Sequence, residues 1–197
     1  MTQPYAFKLK DFIASCEACV NTNPIQHQQQ ITNLFYSVLN SSVKRQHLLS
    51  CLKKHAGNKF PSQQGAYILK QSPQLFLSIF TLPAKMRTAV HNHGLWTTVA
   101  ILKGSSQCQF YKVDENSSIQ ESSSKLLAEG AVYTLDEKEP HDVYNPHDES
   151  TIELHFYPGD VLMPQIDAIR SLWHPLTLVQ EAYTLERAVE ISKEVSR

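Results

Sequence analysis

Ala89-Val90-His91-Asn92-His93-Gly94-Leu95-Trp96 is the stretch on which the reading of this chain turns. Two histidines stand two residues apart in an apolar, β-favouring setting. Side chains alternate faces along a strand, so His91 and His93 are expected on the same side. Two imidazoles on one face can reach a single metal ion. A metal site on a β-wall needs a further ligand from another strand. Three later histidines are candidates for it: His141, His147 and His155.

The surroundings of the pair read as β-structure. From residue 65 onward, short runs rich in β-branched and aromatic residues occupy 66–70, 75–81, 97–102, 107–113, 131–135, 143–145 and 151–157. Turn signals separate them, among them Ser72-Pro73, Lys103-Gly104, Glu129-Gly130 and Pro158-Gly159. Many short strands at close spacing predict a sandwich or barrel. The serine-rich piece 116–124 reads as a solvated hairpin loop.

Both ends read as helical. Residues 5–20 place Leu9, Phe12, Ile13, Cys16 and Val20 at helical spacing. Asn23-Pro24 resembles a cap and first turn, followed by an apolar face of Ile31, Leu34, Phe35, Val38 and Leu39. A weaker pattern through Leu48 and Leu52 ends at Gly57-Asn58. Thr184 is a candidate cap for a final helix over 185–195 with Leu185, Val189 and Ile191 as its apolar residues. The expected layout is one domain: a helical segment at 1–60 packed on a β-barrel at 61–180, then a C-terminal helix at 181–197.

Composition narrows the function class. The chain has 197 residues, 42% of them hydrophobic, and a net charge of −1, which carries no electrostatic signature for nucleic acid or an anionic membrane. No apolar run approaches the roughly 18–20 residues of a spanning helix. Lys8, Lys10 and Asp11 break up the N-terminus, so no secretory leader is expected. Four cysteines are too few for a disulfide framework and predict a cytoplasmic protein with reduced thiols. Cys16-x-x-Cys19 lacks a second pair and reads as a helix face in the core.

A resemblance becomes specific once the spacings are set side by side. His91, His93, Gly104, Gly130, His141 and Asn145 are in register with the two motifs of the cupin superfamily, G-x5-H-x-H-x3-E-x6-G and G-x5-P-x-G-x2-H-x3-N. The resemblance implies a mostly β fold, the double-stranded β-helix or jelly-roll barrel, and selects His141 as the third metal ligand. Thr97 stands where many cupins carry a metal-binding glutamate, Lys85 replaces the first glycine, and Asp136 and Lys138 replace the internal Pro and Gly. Three histidines without a carboxylate resemble the thiol dioxygenases, the cysteine dioxygenase-like family. Arg87 to Trp96 is similar to that family's bacterial R-T-P-V-H-D-H-G-x-W, and Leu154-His155-Phe156-Tyr157 to its S-[IL]-H-[VL]-Y, with Glu153 for the serine. Arg170-Ser171-Leu172-Trp173-His174-Pro175 also resembles a tail segment of bacterial members.

The resemblance implies a mononuclear Fe(II) centre, with Ni, Zn or Mn also compatible with the protein as purified. It further implies a small thiol and O2 as reactants and a sulfinic acid as product. Glu153, His155 and Tyr157 alternate along one run, share a face, and correspond to a catalytic relay beside the iron. The family's cysteine-oxidising members hold the substrate carboxylate with an early arginine. No arginine lies near 65–67; Lys70 is a possible substitute and Arg87, of the same parity as His91, a candidate substrate residue. A metal-binding cupin acting as a sensor, or catalysing another reaction on a non-thiol compound, is the alternative. A monomer or homodimer without nucleic-acid or membrane partners is expected.

Overall fold

The computed structural model describes residues 8–21, 24–61, 65–163 and 169–196. Among the described residues, eleven strands form two antiparallel sheets: β1 (Gly65–Ser72), β2 (Leu75–Leu82), β3 (Val90–His91), β4 (Thr97–Lys103), β5 (Ser105–Val113), β6 (Ile119–Ala128), β7 (Val132–Leu135), β8 (His141–Tyr144), β9 (Thr151–Tyr157), β10 (Ser171–Trp173) and β11 (Gln180–Ala182). One sheet runs β1-β2-β9-β4-β7 and the other β11-β10-β3-β8-β5-β6. From β2 to β5 the chain alternates between the sheets, and from β7 to β10 it does so again. The long β5–β6 hairpin joins the two halves. This winding is a double-stranded β-helix, the expected fold.

Alternation along the strands divides the core in two. Leu77, Ile79, Ala100, Leu154 and Phe156 face outward from the five-stranded sheet and are buried under the helices. Those helices are α1 (Leu9–Val20), α2 (Pro24–Leu39) and α3 (Ser42–Ala56). Phe12, Ile31, Phe35 and Leu48 supply their apolar faces, and removal of this area from water is what holds helices to sheet. Ser41 caps α3 by accepting from the Lys44 amide, and Gly57 ends it at φ 56°. The opposite face of the same strands lines the barrel interior with Leu82, Val99, Ile101 and Tyr133.

Several expectations are corrected. The run 116–124 is mostly strand: β6 begins at Ile119 and pairs with β5 along its whole length. Serine's weak β-propensity is overridden by the ladder and by burial of Ile119 and Leu127 at its ends. Strands β10 and β11 complete a sheet edge that carried no clear sequence pattern. The C-terminal helix, α4 (Leu185–Val195), is capped by Thr184 as expected, yet Leu185 is exposed and Ile191 is its buried apolar anchor. Asn23, read as a cap, and the first residues of the 5–20 run, 5–7, lie outside the described residues.

Candidate metal centre

His91 closes the short strand β3 and is the direct register partner of His141 at the start of β8. Cross-strand neighbours lie close enough for their side chains to touch, and the two rings are 4.7 Å apart between centroids. His93 lies beyond the strand, in the turn that Gly94 makes at φ 67°. Its convergence therefore comes from this turn rather than from strand alternation. Its ring centroid is 5.0 Å from that of His91 and 4.8 Å from that of His141. The potential ligand atoms of the three histidines all lie within 4.8 Å of one another.

The hydrogen bonds on the far side of each ring decide which nitrogen is bare. His91 Nδ1 is 2.9 Å from the Ala89 carbonyl and His141 Nδ1 is 3.0 Å from the Glu139 carbonyl. A carbonyl only accepts, so both Nδ1 atoms carry the hydrogen. His93 Nδ1 is 2.7 Å from Thr97 Oγ1, whose own hydrogen goes to the Leu95 carbonyl. Thr97 thus orients His93. All three Nε2 lone pairs are left for one centre, with His91 Nε2 and His93 Nε2 only 3.1 Å apart. Facing lone pairs at that distance repel unless a cation lies between them, so the donor set fits a metal ion.

Electrostatics agree with this arrangement. Burial first, and His141 second, pushes the His91 and His93 imidazoles well below their ordinary range. Burial brings His141 down to about 4. At neutral pH the cluster is uncharged and ready to coordinate.

The predicted relay lines the adjoining barrel interior. Glu153 is only 1% exposed. Its Oε2 accepts from His155 Nε2 at 2.9 Å, and His155 Nδ1 is 3.3 Å from the Tyr157 hydroxyl. With Nε2 donating to the carboxylate, Nδ1 accepts the tyrosine proton. The Tyr157 ring stands edge-on to His93 with centroids 5.3 Å apart. Burial raises the Tyr157 phenol above its usual range, opposed by the positive charge of Arg170.

Two further residues belong to this region. Ser106, fully buried on β5, donates to Glu153 Oε1 from the opposite sheet. It adds a hydroxyl to the Glu153–His155–Tyr157 chain, and no local motif marks it. Arg170, 9% exposed, places its guanidinium 3.3 Å from the centroid of the Tyr183 ring, and its Nε donates to the Asn92 carbonyl at 3.4 Å. Its charge acts on His91, His93 and Tyr157. Asn92 Oδ1 accepts from the Ser171 amide, which ties the tail to the ligand-bearing turn.

Arg87 lies elsewhere. It bridges Tyr144, whereas His91 pairs with His141, so four steps on one strand match three on the other. That one-residue slip turns Arg87 to the outer face. There its Nη1 is 3.2 Å from Asp142 Oδ2. Lys70 pairs with Glu17 of α1 at 2.6 Å, and His147 with Ser105 at 2.5 Å. None of these three reaches the imidazole cluster, and His155 is engaged by Glu153 and Tyr157.

No family profile and no curated protein matches the sequence. Among solved structures the chain is similar to the DMSP lyase DddQ from Ruegeria pomeroyi, at 19% identity and a TM-score of 0.42, over 54% of this chain and 52% of that one. The chain therefore spans about half the length of that protein. It is also similar to an RmlC-like cupin with a double-stranded β-helix fold from Methanocaldococcus jannaschii, at 10% identity and a TM-score of 0.43, over 52% of this chain and 86% of that one. A third is an oxalate decarboxylase from Bacillus subtilis, at 17% identity and a TM-score of 0.41, over 51% of this chain and 27% of that one. At these values the likeness is one of partial fold. No helix among the described residues is long and apolar enough to cross a membrane.

Proposed function

We propose that this chain is a cupin that oxidises a small thiol to its sulfinic acid with O2 at a mononuclear metal centre held by His91, His93 and His141. The observation that carries the reading is the convergence of three neutral imidazoles beside a Glu153–His155–Tyr157 chain. An iron(II) ion there would supply the redox chemistry that dioxygen requires, and three protein ligands leave room for reactants. The sum R–SH + O2 → R–SO2H balances without an external reductant.

The chain's own residues handle the proton and the substrate. The Tyr157 hydroxyl points its hydrogen at His155 Nδ1, leaving its oxygen able to accept the S–H proton of the substrate. The phenol proton passes to His155, and Glu153 balances the resulting imidazolium. Arg170 provides positive charge beside the cluster, which favours a thiol that also carries an anionic group.

The test is metal analysis of the purified protein, followed by oxygen uptake with cysteine, 3-mercaptopropionate and cysteamine after Fe(II) loading. Sulfinate formed one-to-one with oxygen consumed, and abolished in His93→Ala, supports the reading. A metal-loaded protein that consumes no oxygen with any of the three thiols rejects it. Arg170→Met is expected to raise KM for the carboxylated thiols while leaving that for cysteamine.

A further inference from the structure

Arg87 faces a second cavity, on the outer side of the six-stranded sheet and separated from the imidazole cluster by strand β8. It has a volume of about 800 Å³. Arg87, Tyr111, Glu121, Leu176, Leu178 and Val195 are among the residues that line it. Directly behind the lining lies Asp142, wholly buried, with Arg87 and the Tyr111 hydroxyl both on its Oδ2. Asp142 Oδ1 has no hydrogen-bond partner. Arg87 Nε and Nη2 have none among the described residues either, and the guanidinium is steadied over the Tyr144 ring at 5.3 Å.

The turn that carries Leu176 and Leu178 into the lining is apolar and strained. Leu178 sits at φ 59°, a left-handed conformation that a bulky side chain rarely adopts. Two backbone hydrogen bonds close the turn around it, Leu178 N to His174 O at 2.7 Å and His174 N to Val179 O at 3.2 Å. Leu176 in the same turn is 77% exposed. Strain and exposed apolar area on one lip are features of a ligand clamp.

We propose that this cavity is a second small-molecule site, and that it takes a free α-amino acid with an apolar side chain. Arg87 offers donors for the carboxylate, since a guanidinium with unengaged N–H groups is a carboxylate receptor. Glu121 faces the same space and has no ion pair among the described residues, so it suits the ammonium group. A plain anion would meet its charge. Glu194, also on the wall, is engaged by His174 at 3.0 Å and Arg187 at 3.8 Å. The leucine lip accommodates the side chain.

Isothermal titration with L-leucine, 4-methylpentanoate and isoamylamine tests this. L-leucine is expected to bind saturably, with each single-charge analogue at least about ten-fold weaker. Arg87→Met and Glu121→Gln are each expected to weaken leucine by a similar factor, and His93→Ala to leave it unchanged. If Arg87→Met does not fold, Glu121→Gln, on an exposed strand position, decides the matter. Absence of saturable leucine binding at millimolar concentration overturns the proposal. So does binding that survives Glu121→Gln or is lost in His93→Ala, since the latter places the ligand in the imidazole pocket.

Discussion

His91 and His141 are direct register partners across β3 and β8, so the first and third candidate ligands are brought together by a backbone ladder. Their separation is set by strand spacing and not by side-chain reach. His141→Ala should therefore abolish metal retention while leaving the barrel folded. Metal content by elemental analysis, with circular dichroism for the fold, checks this. His147→Ala should retain metal, because His147 is bound to Ser105.

Thr97→Val keeps the volume and removes the acceptor that holds His93 Nδ1–H. Loss of an outer partner of a metal-ligating histidine typically costs about 10–100-fold in affinity. Competition against a chelating dye should show a drop of that order, without loss of stoichiometry at saturating metal.

Glu153→Leu leaves the Ser106 hydroxyl and the His155 N–H buried without an acceptor. Each orphaned group costs about 1–3 kcal/mol, so a total loss of about 2–6 kcal/mol is expected in urea denaturation. Glu153→Gln, which can still accept, should lose less stability than Glu153→Leu yet still lose activity, because it cannot balance a charge on His155.

In the metal-free protein the imidazole cluster makes stability depend on pH. The folded-state values lie below the unfolded 6.5, with His141 at about 4. The unfolded chain then binds more protons in this window, so stability rises with pH. The contribution is fully present above 6.5 and is lost as pH falls toward 4. Melting temperature should fall over that interval, and the fall should be smaller in His141→Gln. Added metal should oppose it, because cation and protons compete for the same Nε2 atoms.

Gly130 has φ 88°, and a Cβ there would meet Arg45 Nη1 at 2.8 Å. That nitrogen donates to the Leu39 carbonyl at 2.8 Å and links the end of α2 to the barrel turn. Gly130→Ala combines a left-handed backbone, about 1–2 kcal/mol, with displacement of this link. Chemical denaturation should show at least that loss, and Arg45→Ala in the same background should relieve part of it.

Much of this was legible along the chain. The strand runs at 75–81, 97–102 and 151–157 agree with β2, β4 and β9 to within a residue or so, because buried strands require β-branched and aromatic residues. The three histidines were marked by type and spacing. Residues 116–124 were not legible as strand, because their pairing partner β5 supplies the order that serine's own propensity does not. The orientation of Arg87 was hidden for a related reason. A one-residue slip against β8 reverses a side chain, and parity counted along one strand cannot register it.

The sequence by itself determined the β-rich class and the flanking helices, which follow from side-chain chemistry and from periodicity within one segment. The choice of His141 as the candidate to join His91 and His93 came from the motif resemblance. Only the tertiary structure decided that Ser106 reaches Glu153 from the opposite sheet, that Arg170 stands over Tyr183 beside the cluster, and that Arg87 faces outward. Each of these depends on which strands pair and in what register. A barrel brings together residues far apart in the chain, and no local pattern carries that information.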